Sequence, residues 1–520
     1  MAVNERRSLL AILILALALR LWGIQSGLPG LYHPDEPNKV AIAQRMIRTG
    51  DLNPHYFDKG TLLIYVNAAA QYAYYAWGKL GGSFASFDDL RPPEILIYGT
   101  GFTKSPGTFV AGRSITVAVG VASVWLLFLC ASAASGNPRT ALLAALLMAV
   151  APIPVAHSRY ITVNMFVVFF CLLATWASLK ILRESGFRYY LLGGLAAGFA
   201  AGSKYPAALV TISPVVAHFL RYGFKAAWTR RSVYLVPVFA GLGFLATTPY
   251  AVLAYDEFLR DVLYQARHYG SQHFGMEGNA LAFYLKLLWN TDGALVCILA
   301  LASLPVVIRS NGKTALVLAS FALVYFVSIA SLPVRNARTF LPVLPFVYLF
   351  FAIGASDLWQ RAERLERGRA PTLSLVLVLV VAGLSVPAYH TAQEALRPNQ
   401  LLARENSRRW IAQNIPAGSR VALEAYSPFV DPQRYEVRAV PLLIQIPLQS
   451  YRRNFDYVIA AQRSYGRFFH HPERYHDQMQ SYRNLFASLE PVKTFADGNE
   501  VIRIFRSTRS KARRPGPASR

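Results

Sequence analysis

TLLIYVNAAAQYAYYAWGKL, residues 61 to 80, is apolar and long enough to cross a bilayer, yet it carries Asn67, Gln71 and four tyrosines. If it crosses, every later loop changes sides. The side of a loop is legible in its Lys and Arg, because loops kept in the cytoplasm are enriched in them. Read as non-crossing, the segment leaves Arg6 and Arg7, Arg139, and the loops at 180–188, 221–231, 309–313 and 361–369 on one side, with sixteen basic residues. The short connections opposite hold six: Arg159, Lys204, Arg260, Arg267, Arg335 and Arg338. That asymmetry makes residues 61–80 an interfacial segment with a wetter face.

Working outward, apolar runs at 8–24, 110–134, 138–156, 162–182, 187–203, 205–221, 232–253, 281–308, 314–332, 339–358 and 371–389 are spanning candidates. The expected fold is an all-α polytopic membrane protein of about eleven transmembrane helices, with interfacial helices in the first external loop, plus a small external α/β C-terminal domain. The N-terminus is expected in the cytoplasm as an uncleaved first span, and the C-terminal domain outside, in a bacterial inner (plasma) membrane. Residues 1–390 form the membrane domain, 25–109 its first external loop, 391–507 the α/β domain and 508–520 a disordered basic tail. In the α/β domain, RVALEAY, FDYVIAA and EVIRIFR read as strands, and RENSRRWIAQN and YRNLFASLE as helices.

The formal charge of +25 would suggest nucleic acid as the partner of a soluble protein. Here most basic clusters lie between apolar runs, so membrane lipid is the expected neighbour and nucleic acid is not. The three cysteines fall in apolar segments and make neither a disulfide framework nor a metal spacing.

The first loop carries chemistry. LYHPDEPNKV, residues 31–40, places His33, Asp35 and Glu36 just outside the first span, where an ionised group meets both water and membrane-depth substrates. A carboxylate there can act as general base, or hold a metal with His33, or simply be solvated in a proline-bounded turn. Asp58 and Lys59 in PHYFDKG make either a phosphate-steering pair or a surface ion pair. Further external groups are His157, Arg159 and Asn164, then Lys204 and Tyr205, then His268 and His273, then Arg335 and Arg338. Each alone reads as snorkelling or solvated, but their collection on the side of the acidic loop favours a site for an anionic lipid headgroup.

These residues, in their order, resemble a known family. HPDE (33–36), an amphipathic helix ending in RTGDL (48–52), YFDKGTLLIY (56–65), AGRSITVAVG (111–120), SRYITVNMFVVFF (158–170), AAGFAAGSKY (196–205) and VRNARTFLPVLP (334–345) are similar to the glycosyltransferase C superfamily. The similarity is greatest to the branch of protein O-mannosyltransferases and lipid A aminoarabinose transferases. It implies an inverting enzyme that takes a hexosyl or pentosyl group from a polyprenyl-phosphate sugar to a lipid, glycan or protein acceptor on the external face. It also implies Asp35 as catalytic base with Glu36 beside it, and Asp58, Lys59, Lys204, Arg335 and Arg338 around the donor phosphate. A third family acid falls on Asn164, which cannot carry charge. His33, Arg159, Asn164, Tyr205 and His268 complete the candidate set. A divalent metal is compatible with this chemistry but not required by it, since cations can stabilise a departing phosphate. The competing reading is a transporter or flippase for lipid-linked sugars without chemistry, which favours paired repeats that the sequence lacks.

Overall fold

A computed structural model describes residues 3–184, 186–271, 274–276, 278–365, 368–396, 402–498 and 500–507. His273 and the basic tail lie outside them.

Helix α1 (Val3–Leu21) is followed by the first loop, which holds α2 (Glu36–Thr49), α3 (Leu62–Leu80) and a hairpin of β1 (Glu94–Ile97) and β2 (Thr100–Phe102). The bundle continues with α4 (Pro106–Ser135), α5 (Pro138–Val150), α6 (Pro152–Ser158), α7 (Asn164–Arg183), α8 (Phe187–Ser203), a 3₁₀ stretch at Tyr205–Thr211, and α9 (Ile212–Tyr222). Then come α10 (Phe224–Thr229), α11 (Ser232–Thr247), α12 (Tyr250–Leu253), α13 (Tyr255–Gly270), α14 (Ala280–Asp292), α15 (Ala294–Ala330), α16 (Ala337–Phe340), α17 (Leu344–Glu363) and α18 (Arg369–Leu396). Among the described residues α4, α7, α15 and α18 are each long and apolar enough to cross a membrane, so the chain is a multi-pass membrane protein.

Several expected spans are broken, each for a local reason. Residues 138–156 bend by 60° between α5 and α6, because Ala151 precedes Pro152 and takes extended backbone. The expected span at 281–308 is two helices, parted at Gly293, whose φ of 90° is open to glycine and not to a branched residue. The runs at 281–308 and 314–332 then share α15, which turns at Asn311 (φ −161°, ψ 81°). At the α5–α6 break Arg20 is fully buried and donates to the carbonyls of Met148 and Ala149, each at 3.1 Å. A charge at that depth is tolerated because it satisfies carbonyls that the break orphans. Helices α8 and α11 meet through small residues: a Cβ on Gly198 would lie 2.3 Å from the carbonyl oxygen of Ala240.

Past α18 the chain forms α19 (Leu402–Asn414), β3 (Arg420–Glu424), β4 (Glu436–Val440), α20 (Leu448–Asn454), β5 (Tyr457–Ala461), α21 (Gln462–His470), α22 (His476–Ala487), β6 (Glu490–Ala496) and β7 (Val501–Arg506). The sheet order is β4-β3-β5-β7-β6, with β3, β4 and β5 parallel and β7 antiparallel to both neighbours. The central strand YVIAA is buried at every position, as expected of a strand covered on both faces. Strands β4 and β6 escape the sequence reading because charged and proline residues interrupt their apolar pattern.

The hairpin of the first loop reaches this domain. The amide of Tyr426 donates to the carbonyl of Tyr98 at 3.1 Å, Thr100 Oγ1 donates to the carbonyl of Ser427 at 3.0 Å, and Phe102 stacks on Phe429. Arg404, fully buried, pairs with Glu500 and donates to the Gly99 carbonyl, while its guanidinium lies over the rings of Tyr32 and Tyr426. Tyr32 in turn donates to Glu405 at 3.1 Å. The C-terminal domain is thereby tied to the residue just before His33.

Candidate active site

Asp35 sits at the entry of α2, between Pro34 and Pro37, where the prolines end one segment and open the next. Its amide donates to His33 Nδ1 at 3.3 Å, and the His33 ring stacks on Tyr160 at 4.4 Å. Burial holds His33 down to about 4, so it is neutral at physiological pH.

The Asp35 carboxylate faces cations from four parts of the chain. Arg338, on α16, pairs with it directly, and Lys59 Nζ lies 3.7 Å away. Lys39, one helical turn along α2, donates from Nζ to the Asp35 carbonyl at 2.6 Å. Lys204, at the end of α8, couples electrostatically to Asp35, Arg338 and Lys59. Burial alone would push the Asp35 carboxyl up, but Lys59, Lys39 and Arg338 outweigh it and hold the group far below the usual carboxylate range. The lysines show the reverse. Burial, then the neighbouring cations, brings Lys204 down to about 7, and burial with Lys59 does the same to Lys39. The Asp35 side chain is 13% exposed, enough for a substrate group to reach it.

Glu36, grouped with Asp35 by sequence, turns the other way. It is 1% exposed, takes Arg113 Nε and Nη2 at 2.9 and 2.7 Å, and accepts from the amide of Ile161 at 2.9 Å. Both of its oxygens are engaged within the protein, where they tie the first loop to Arg113 and Ile161. Arg113 also donates to the carbonyls of Ile24 and Ser26, so this pair joins the first loop to α4.

The other candidates divide. Tyr205 donates to the carbonyls of Phe57 and Lys59, fixing the turn that presents Lys59. Asp58 is half-buried beside Tyr56, adjacent to but not within the cluster. Arg335 departs from expectation: its guanidinium lies over Phe283 at 5.4 Å, because it precedes the Asn336 cap of α16 in extended chain while Arg338 follows it. Arg159 donates to the Leu19 carbonyl at 2.7 Å and pins α1. Asn164 reaches His157 at 3.4 Å and Thr162 at 3.2 Å, and His157 couples to His33, Arg338 and Asp35. His268 is exposed and stacks with Tyr264, whereas its neighbour Tyr269 faces Arg338 and Asp35. Sequence reasoning missed Lys39, although its i+4 spacing from Asp35 on an amphipathic helix was a usable signal. Tyr98, which couples to Asp35 and Arg338 from the hairpin, carried no local signal.

The donor set offers a divalent metal no ready-made protein cage. Among the described residues no three His, Cys, Asp or Glu side chains converge, His33 Nδ1 is engaged, and Asp35 is already surrounded by positive charge.

The lysines set a pH dependence. A protonated Lys204 attracts an anion more strongly than a neutral one, so affinity of this cluster for a lipid phosphate is expected to be higher below about pH 7 and to fall as pH rises through it. Donor binding between pH 6 and 9 checks this, with Lys204→Arg removing part of the fall. For ligand-free stability the sign is opposite. The unfolded lysine keeps its proton up to about 10.4, so stability rises with pH from about 7 to that value.

A family model described as Dolichyl-phosphate-mannose-protein mannosyltransferase matches residues 105–252, the stretch that holds Arg113, His157, Asn164 and Lys204. No curated protein matches the chain. Among solved structures, the oligosaccharyltransferase AglB of Archaeoglobus fulgidus, in complex with an inhibitory peptide and a dolichol-phosphate, is 12% identical with a TM-score of 0.57, over 99% of this chain and 75% of that one. ArnT of Cupriavidus metallidurans is 14% identical with a TM-score of 0.55, over 96% of this chain and 98% of that one. The same protein bound to undecaprenyl phosphate aligns at 13% identity with a TM-score of 0.55, over 95% and 97% of the two chains. At such identities the likeness is one of fold: the chain shares the fold of these oligosaccharyltransferase and ArnT structures.

Proposed function

We propose that this chain is an integral-membrane glycosyltransferase that moves a sugar from a polyprenyl-phosphate donor to an acceptor hydroxyl on the external face, by direct inverting displacement. The observation that carries the reading is one partly exposed carboxylate, Asp35, met by Arg338, Lys59, Lys39 and Lys204 at the junction of the bundle with the C-terminal domain. That two proteins sharing the fold hold a dolichol-phosphate and an undecaprenyl phosphate supports the donor class.

In the ligand-free state Asp35 occupies the charge that a donor phosphate would satisfy. A bound phosphate draws Arg338, Lys59 and Lys204 towards itself, which releases the carboxylate and strengthens it as a base. Asp35 then takes the acceptor proton as the acceptor oxygen bonds to the anomeric carbon. The bond from that carbon to the phosphate oxygen breaks on the opposite face, and its electron pair leaves on polyprenyl phosphate, held by the same cations. No metal is needed. The proposal keeps eleven crossings, with the N-terminus cytoplasmic and the α/β domain outside a bacterial inner membrane.

The test is turnover of a labelled polyprenyl-phosphate sugar by the purified full chain, with an envelope extract supplying acceptor. Label on the acceptor with release of polyprenyl phosphate is the expected result. Donor that binds but stays intact would overturn the enzyme reading and favour a carrier.

A further inference from the structure

The face of the bundle remote from Asp35 holds a basic cavity. Helix α7 starts at Asn164, beside the reaction centre, and ends at Arg183; its 20 residues set the two ends about 30 Å apart. At the far end, Leu182, Arg183, Arg221, Tyr222, Asn311 and Lys313 line a cavity of about 480 Å³. These six residues come from the ends of α7 and α9 and from the turn inside α15, three parts of the chain that only the packing brings together.

The cavity is built for an anion. Among the described residues, Arg183 and Lys313 have no acidic partner, and no acid lines the space. The nearest acid in sequence, Glu184, is occupied by Lys180 at 2.7 Å, by Arg188 and by Tyr189. Arg221 uses Nη1 on the carbonyl of Leu182 at 2.9 Å, which leaves the rest of its fork of donors for a ligand. The second arm of α15 also begins here, capped by Asn311 at the amide of Thr314, so a positive helix end adds to the three cations. Three like charges in one cavity repel each other unless a counter-charge joins them.

Depth identifies the source of that charge. Beside the cavity, Phe224 and Trp228 of α10 are 73% and 51% exposed and pack on Phe219, while Arg230 lies over Tyr222. Exposed aromatic rings next to cations at the end of apolar helices mark headgroup level. We infer that this cavity is a binding site for the phosphate of an anionic phospholipid, on the membrane face opposite the reaction centre.

The experiment uses the purified full chain in neutral detergent, with native mass spectrometry and thermal unfolding read against short-chain phosphatidylglycerol, phosphatidylcholine and inorganic phosphate. Phosphatidylglycerol should bind saturably and raise the unfolding temperature, and phosphatidylcholine should not. Since each surface cation contributes about 1 kcal/mol to anionic-lipid binding, Arg183→Gln with Lys313→Gln should weaken it about tenfold or more. Both side chains are exposed, so the double variant is expected to fold; Arg221→Gln is the second probe should it not. Phosphatidylglycerol binding unchanged in both variants would overturn the site. Inorganic phosphate binding as tightly, with the same dependence on these residues, would overturn the lipid assignment.

Discussion

Asp35→Asn should lower the rate of transfer by about 10²- to 10⁴-fold, the usual contribution of a positioned general base, while donor affinity is kept or improved. The two halves of this result have one cause. An amide cannot take the acceptor proton, so the chemical step slows. It also no longer competes for Arg338 and Lys59, so both become available to the donor phosphate. Single-turnover transfer measured alongside equilibrium donor binding separates the effects. Near-normal transfer in the variant would remove Asp35 from the mechanism. Slow transfer with equally weakened donor binding would make its role electrostatic positioning and not proton removal.

Glu36→Gln, one residue along, should act on stability. Glu36 and Arg113 are 1% and 2% exposed and form a two-pronged pair. Neutralising one partner leaves the other buried and uncompensated, a change that costs about 3–5 kcal/mol against a total stability of about 5–15 kcal/mol. Folded protein should be recovered in low yield, with a much reduced unfolding temperature in detergent. Replacing both partners together by apolar residues should restore part of the loss, because no charge is then stranded. A Glu36→Gln protein of normal stability and no activity would instead return Glu36 to the chemistry.

The contrast between these neighbours shows where sequence reading stops. HPDE identifies two acids at the membrane boundary, and no property of the tetrapeptide says which one faces the cationic cluster. Successive residues entering a helix project about 100° apart, so one can meet substrate while the other meets α4. The same limit separates Arg335 from Arg338, which lie on either side of a helix cap, and His268 from Tyr269. Lys39 was legible by its spacing, since i and i+4 share a helix face whatever the fold. Tyr98 was not, because it reaches Asp35 through a short hairpin whose position depends on the C-terminal domain.

The sequence by itself determined that the chain is mostly helical with apolar, membrane-crossing helices and that its C-terminal region is α/β. Apolar length, charge asymmetry and period-two patterning are local quantities, and water and lipid act on them locally. It could not determine where helices break in the bundle, since a glycine or asparagine such as Gly293 or Asn311 permits a turn without requiring one. It also could not determine which charges meet. Arg338 and Asp35 lie 303 residues apart, and the basic cavity at the far face draws on three segments. Such pairings follow from the tertiary structure alone, because Coulomb energy depends on distance in space and burial sets its strength.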